Sequence, residues 1–310
     1  MERSEVSEDT KDTAEYPSPT PAKSWPETAS SRTRVDIGAL THRGTVRPNN
    51  EDCFLVTRFE RNMHTLLTNL PDGFVPYEFS EVGYGYLVAD GMGGAAAGEI
   101  ASREAISKLV DLVLDTPDWH MRLDNVGTNE VLARLDERFG KLRESLIALA
   151  EANPGLTGMG TTLTVAASLG LSLVVAHIGD SRAYLFHNGK LQQLTRDQTL
   201  AQDLAEIGVI RPEHVAKHHS RHILTGVIST QGEEAQAELL KVGMENGDQI
   251  LLCTDGLTEM VSDERIAEAL QKSVTAADAC CVLIDLALEA GGNDNVTVVV
   301  GRYLTMDSVA

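Results

Sequence analysis

Nine short apolar runs, many rich in β-branched residues, recur along the chain, while helix-like stretches gather into two blocks instead of alternating with them. The runs are RVDIGAL (34–40), CFLVT (53–57), YLVAD (86–90), TLTVAAS (162–168), LSLVVAHIGD (171–180), RAYLF (182–186), KLQQL (190–194), ILLCTD (250–255) and NVTVVVGRY (295–303). Residues 97–114 and 129–152 form one helical block, and 262–271 and 276–289 the other, the last opening on Thr275 and Asp278 in capping-box spacing. Strands grouped with strands and helices with helices specify an α+β layered fold, not a βαβ wind. Asn188-Gly189 between two runs predicts a tight hairpin, so the strands are at least partly antiparallel.

Several runs share an ending. YLVAD stops at Asp90 and is followed by GMGGAAAG; AHIGD stops at Asp180; LLCTDG stops at Asp255; GGNDN places Asp294 just before the last run; Glu51 and Asp52 stand before CFLVT. Taken singly, each Asp-Gly lip is a turn. If the lips share one edge of a layered fold, several carboxylates converge, and their repulsion calls for a counter-charge. A set made only of oxygen donors favours Mg²⁺ or Mn²⁺, with Ca²⁺ also admitted, over Zn²⁺ or Cu²⁺. Two such ions can activate a water and stabilise both oxygens of a phosphoryl transfer. Asp90 is the candidate bridge, because the glycines after it let the Gly91 carbonyl turn inward as a further ligand. Arg47, four residues before Glu51, supplies a guanidinium suited to phosphate oxygens.

Other chemistries fit less well. Gly91–Ala96 matches the spacing of a dinucleotide-binding turn, with Asp111 about twenty residues on, but Asp111 falls inside a helical stretch and Asp90 would face the pyrophosphate. A nucleotide P-loop is excluded by the missing Gly-Lys-[Ser/Thr]. His218-His219-Ser220-Arg221-His222 has no partner pair at zinc spacing and reads as part of an irregular flap covering 195–237, with a short helix at 198–207. Ser181 reads as a local hydrogen-bonding residue. The insert 58–83 reads as a long loop or partner surface, and residues 1–32, rich in Ser, Thr, Pro and acids, as a disordered arm ahead of a domain at 33–305. With 46 Asp and Glu against 26 Lys and Arg, the net charge of -20 opposes nucleic acid and anionic membranes. The four cysteines lack disulfide or CxxC spacing, and no run reaches membrane-spanning length, so a cytoplasmic protein is expected.

Together the motifs THRGTVRPNNEDCF, YLVADGMGGAAAGEIAS, GMGTTLTVA, AHIGDSRAYLF, LLCTDGLTEMV and GGNDNVTVVV resemble, in order, those of the metal-dependent protein phosphatases of the type 2C class in their bacterial form. The resemblance spans about residues 34–303 and implies a four-layer α-β-β-α sandwich of two antiparallel sheets flanked by helices. It further implies two Mn²⁺ or Mg²⁺ ions bridged by Asp90, the first completed by Asp255 and Asp294 and the second by Glu51 and the Gly91 carbonyl. Asp180 would hold a weaker third ion, and Arg47 the substrate phosphate. The implied activity is hydrolysis of phosphoserine and phosphothreonine in proteins by metal-bound water, with Asp90 and Asp255 catalytic through that water and no phosphoenzyme. The implied partners are phosphoproteins made by a eukaryotic-like Ser/Thr kinase, and a monomer is expected. A catalytically silent phosphoprotein-binding scaffold of the same fold is the alternative. Met92 stands where animal members carry a proposed general acid, His, and Asp197-Gln198-Thr199 stands where many bacterial members have Asp-His-Ser.

Overall fold

The computed structural model describes residues 28, 30–71, 73–93, 97–115, 128–232 and 235–305, the side chains of 128–133, 135 and 136 excepted. In chain order the elements are β1 (Thr33–His42), β2 (Asp52–His64), β3 (Glu78–Met92), α1 (Ala97–Leu114), α2 (Thr128–Ala152), β4 (Gly160–Thr161), β5 (Leu163–Leu169), β6 (Ser172–Ile178), β7 (Arg182–His187) and β8 (Lys190–Gln193). There follow α3 (Leu200–Glu206), β9 (Ile228–Ser229), β10 (Glu238–Gly243), β11 (Gln249–Cys253), α4 (Asp255–Thr258), α5 (Asp263–Lys272), α6 (Ala276–Glu289) and β12 (Val296–Thr305). One sheet has the order β1-β12-β11-β7-β8; the other runs β10-β6-β5-β3 with β2 on the far side of β3, and the short β4 and β9 extend it past the end of β5. Every named pairing is antiparallel. A dinucleotide fold needs parallel strands around its glycine turn, so that reading of 91–96 fails.

Alternation along the strands explains the four layers. In β11, Ile250 and Leu252 face the other sheet, where they meet Tyr86, Val88 and Val175, while Leu251 and Cys253 face α5 and α6. The opposite sheet sends Tyr86 and Val88 inward and Leu87 and Ala89 outward onto α1 and α2. Buried on both faces, these strands read as unbroken apolar runs. The Tyr303 hydroxyl is hydrogen-bonded to those of Tyr86 and Ser168 across the sheet interface, so the hydroxyls buried there are satisfied.

The helices fall where the periodicity puts them, and α6 opens with the reciprocal Thr275–Asp278 capping box. At the β7–β8 turn, Asn188 (φ 49°) and Gly189 (φ 75°) take the left-handed backbone that a two-residue hairpin demands.

The 58–83 segment is corrected. Arg58–His64 continues β2 and Glu78–Gly83 begins β3, paired from Arg58↔Tyr84 to His64↔Glu78, so the insert is a long hairpin with its tip at 65–77. The projecting ladder carries cross-strand polar ties such as Arg61–Glu81, and its tip leaves Leu66 and Leu67 to solvent. With neither face fully buried, no two-residue apolar period marks it. Most of the arm expected at 1–32 lies outside the described residues, but Thr28 donates to the Ser80 carbonyl, and buried Ser30 accepts from the Val82 N–H. No helix among the described residues is long and apolar enough to cross a membrane.

Candidate metal centre

The strand lips do meet. β2 starts and β3 nearly ends at one edge of the sandwich, with Asp52 registered opposite Asp90. Asp255 follows β11 as the first residue of α4, and Asp294 precedes β12, which pairs with β11. Asp180 lies in the tight connection from β6 to β7. Electrostatics report the convergence: burial pushes the Asp90 carboxyl well above the usual range, and Asp52, Asp255, Asp180 and Asp294 each push it further. Burial does the same to Asp255, helped by Asp180, Glu259, Asp294 and Asp52. Asp180 is raised to about 7 by burial, with Asp197 adding to it. Like charges share one pocket here.

Hydroxyls hold the Asp90 backbone and the Asp52 carboxylate in place. The Asp90 N–H donates to Thr162 Oγ1 (3.0 Å), and its carbonyl accepts from Thr161 Oγ1 (2.8 Å) and the Thr162 N–H (2.9 Å). Asp52 is buried; its Oδ2 accepts from Thr254 (2.8 Å) and Thr297 (2.7 Å), and burial still pushes its carboxyl up to about 7. Asp52 stands at a lip in the sequence, but its role is not legible there, because its hydroxyl partners lie some two hundred residues away and leave no local signal. Glu51 is also raised, by burial first and then by Asp294 and Glu99.

The small residues after Asp90 have a clear packing reason. A Cβ on Gly91 would lie 2.0 Å from the Gly98 carbonyl, and one on Gly98 would lie 2.5 Å from Glu51 Oε2. Glycine at both positions therefore lets β3 cross the start of α1 and leaves the space that the Glu51 carboxylate occupies. The Gly91 N–H donates to the Glu51 carbonyl (3.2 Å), so this acid and the Asp90 lip are tied together. Gly94, Ala95 and Ala96 lie outside the described residues.

Arg47 stands at the rim, half-exposed, with Nη2 2.6 Å from Asp294 Oδ2. Arg182, by contrast, is committed to Asp197 through two parallel bonds, Nε to Oδ1 (2.8 Å) and Nη2 to Oδ2 (2.6 Å). Ser181 is buried and shares a hydrogen bond with Thr162 (3.0 Å), the local role read from sequence. A cavity of about 530 Å³ opens beside Asp180 and Asp255 under the flap, lined by Arg196, Thr199, Pro212, Val215 and Glu259 among others. The flap residue His222 reaches this rim, its Nδ1 2.8 Å from Glu259 Oε1, while the His218 and His219 rings pack on each other.

Asp255 Oδ1 and Asp52 Oδ1 are buried without a hydrogen-bond partner. Orphaned carboxylate oxygens amid other acids are costly unless a cation is present, and an all-oxygen set suits a hard divalent ion. The residues fit such an ion.

A family model described as protein phosphatase 2C matches residues 78–285. The serine/threonine protein phosphatase PstP of Mycobacterium tuberculosis is 42% identical over 220 residues, covering 71% of this chain and 40% of that protein, so the chain spans well under half of this relative. The serine/threonine phosphatase Stp of Listeria monocytogenes is 35% identical over 220 residues, covering 71% of this chain and 84% of the relative. Among solved structures, the PstP catalytic domain in complex with two manganese ions matches with a TM-score of 0.66 and 36% identity, over 88% of this chain and 99% of that one.

Proposed function

The chain belongs to the protein phosphatase 2C family, and from that membership we propose that it hydrolyses phosphoserine and phosphothreonine esters in proteins with the help of divalent cations. The observation that carries the reading is the meeting of Asp90, Asp255, Asp294, Asp180 and Asp52 at one sheet edge, with two buried carboxylate oxygens left unpartnered. Asp90 would hold both ions of a Mn²⁺ or Mg²⁺ pair, Asp255 and Asp294 one of them, Glu51 and the Gly91 carbonyl the other, and Asp180 a weaker third. When bound, such a pair supplies an activated water as nucleophile and offsets the charge of the phosphate.

The protein's own groups do the rest. Arg47, next to Asp294 but half-exposed, keeps guanidinium N–H groups free at the rim, where they can grip phosphate oxygens. The Asp52 carboxylate, held by Thr254 and Thr297, and the Asp90 backbone, held by Thr162, keep their geometry without reorganising as charge shifts. Ser181 is fully buried against Thr162, away from solvent and substrate. Met92 offers no proton to the leaving oxygen, so it cannot play the part of the histidine in animal members. The flap and the cavity beneath it form the surface on which the polypeptide flanking a phosphorylated residue would lie. The counterpart enzyme is proposed to be a eukaryotic-like Ser/Thr kinase.

The test is release of phosphate by the purified chain from an aryl phosphate and from a phosphothreonine peptide with manganese, stopped by EDTA and abolished by Asp90→Asn. Manganese uptake without release would instead identify a silent phosphoprotein-binding scaffold. Release unaffected by EDTA or by Asp90→Asn would overturn the assignment.

A further inference from the structure

One buried carboxamide holds the segment that carries both the rim guanidinium and a metal-side acid. Asn295, 5% exposed, lies between Asp294 and β12. Its Nδ2 donates to the carbonyls of Arg43 (2.9 Å) and Asn49 (2.8 Å), and its Oδ1 accepts from the Glu51 N–H (2.8 Å). Both donors and the acceptor are thus spent on one turn, residues 43–51. The Asn295 N–H meanwhile donates to Asp294 Oδ1 (2.8 Å), orienting the carboxylate whose other oxygen meets Arg47. Thr45 clips the same turn from outside, its Oγ1 donating to the Gly291 carbonyl (2.6 Å) and its N–H to that of Gly292 (2.8 Å).

We propose that Asn295 is a positioning residue that makes Arg47, Glu51 and Asp294 one rigid unit, keeping the phosphate-side cation in register with the metal-side acids. The inference rests on the roles given above to Arg47 and Glu51. The side chain is singular in chemistry: aspartate would set an anion against two carbonyl oxygens, alanine would leave all three groups unpaired, and glutamine is too long for a site this enclosed. A residue that merely filled volume would not direct every polar atom of its side chain at a single turn.

The test is a double-mutant cycle on the full chain saturated with manganese. Asn295→Ala and Asn295→Asp should each lower kcat/KM for an aryl phosphate by about 100-fold, with KM raised. In an Arg47→Ala background the Asn295→Ala penalty should shrink to about tenfold or less, because the group it positions is gone. A second readout needs neither metal nor activity: trypsin cleavage after exposed Arg43 in the metal-free protein should quicken in both variants while cleavage elsewhere in the folded domain and the circular dichroism of the folded protein stay those of the wild type. Penalties that simply multiply, with an unchanged cleavage rate at Arg43, would overturn the proposal. If the wild type released no phosphate, the reading of the site would fall, and the trypsin comparison would still decide whether Asn295 anchors the turn.

Discussion

Replacing Asp255 by asparagine should make the metal-free protein more stable while removing what cations give it. Asp255 Oδ1 is buried and unpartnered, and its carboxyl is pushed well up by burial and by Asp180, Glu259, Asp294 and Asp52. An Asp255 oxygen lies within 4.8 Å of one on Glu259. At that separation two ionised carboxylates repel by about 3.5 kcal/mol for an effective dielectric of about 20, and solvent at Glu259 cuts the figure to about 2 kcal/mol. A carboxyl whose folded pKa is raised binds more protons folded than unfolded, so the wild type loses stability as pH rises above its ordinary value of 3.8. The gain from asparagine is therefore present at pH 8 and vanishes towards about pH 4. For a domain of this size it corresponds to a rise in Tm of about 4–8 °C in EDTA. Manganese at a hundredfold excess over Kd should stabilise the wild type by about 2.7 kcal/mol per site and the variant by much less. Scanning calorimetry at both pH values, with EDTA and with manganese, reads all of these quantities. A variant less stable than the wild type in EDTA at pH 8, with its manganese response intact, would refute the reasoning.

Arg47→Ala should raise KM for phosphorylated substrates by about tenfold or more while leaving manganese affinity nearly unchanged, and Arg47→Lys should restore only part of the loss because a point charge replaces a bidentate fork; steady-state kinetics and calorimetry check both. Manganese should bind more tightly as pH rises through about 7, where Asp52 and Asp180 ionise in the free protein, with net proton release that calorimetry in buffers of different ionisation enthalpy detects. Gly98→Ala should displace the Glu51 carboxylate, whose Oε2 would be 2.5 Å from the new methyl, and lower kcat by about tenfold or more in the same assay. Leu66→Ser with Leu67→Ser should change stability by less than about 0.5 kcal/mol in urea unfolding, because both side chains stand in solvent at the hairpin tip.

Some of this architecture was written locally and some was not. Asp90, Asp180, Asp255 and Asp294 could be read because each ends or precedes an apolar run beside glycine, a signal contained within a few residues. The helices at Ala97–Leu114 and Ala276–Glu289 were legible from a 3.6-residue period and a capping box. The 58–83 hairpin was not, because its strands project with polar side chains on both faces. β10, an edge strand of mixed pattern, carries no clear period, and β4 and β9, each of two residues, are too short to carry one. The roles of Asp52 and Asn295 depend on Thr254, Thr297, Arg43 and Asn49, partners brought close only by the pairing of distant strands. Long-range hydrogen bonds leave no period to read.

Counting bound manganese is the most direct trial of the central claim, that these carboxylates are gathered around hard cations. Titration calorimetry paired with anomalous scattering from manganese-soaked crystals should find two ions in contact with Asp90, one also touching Asp255 and Asp294, and Asp90→Asn should bind neither well. An Asp90 surrounded by no ion at saturating manganese, with wild type and Asp90→Asn titrating alike, would contradict it.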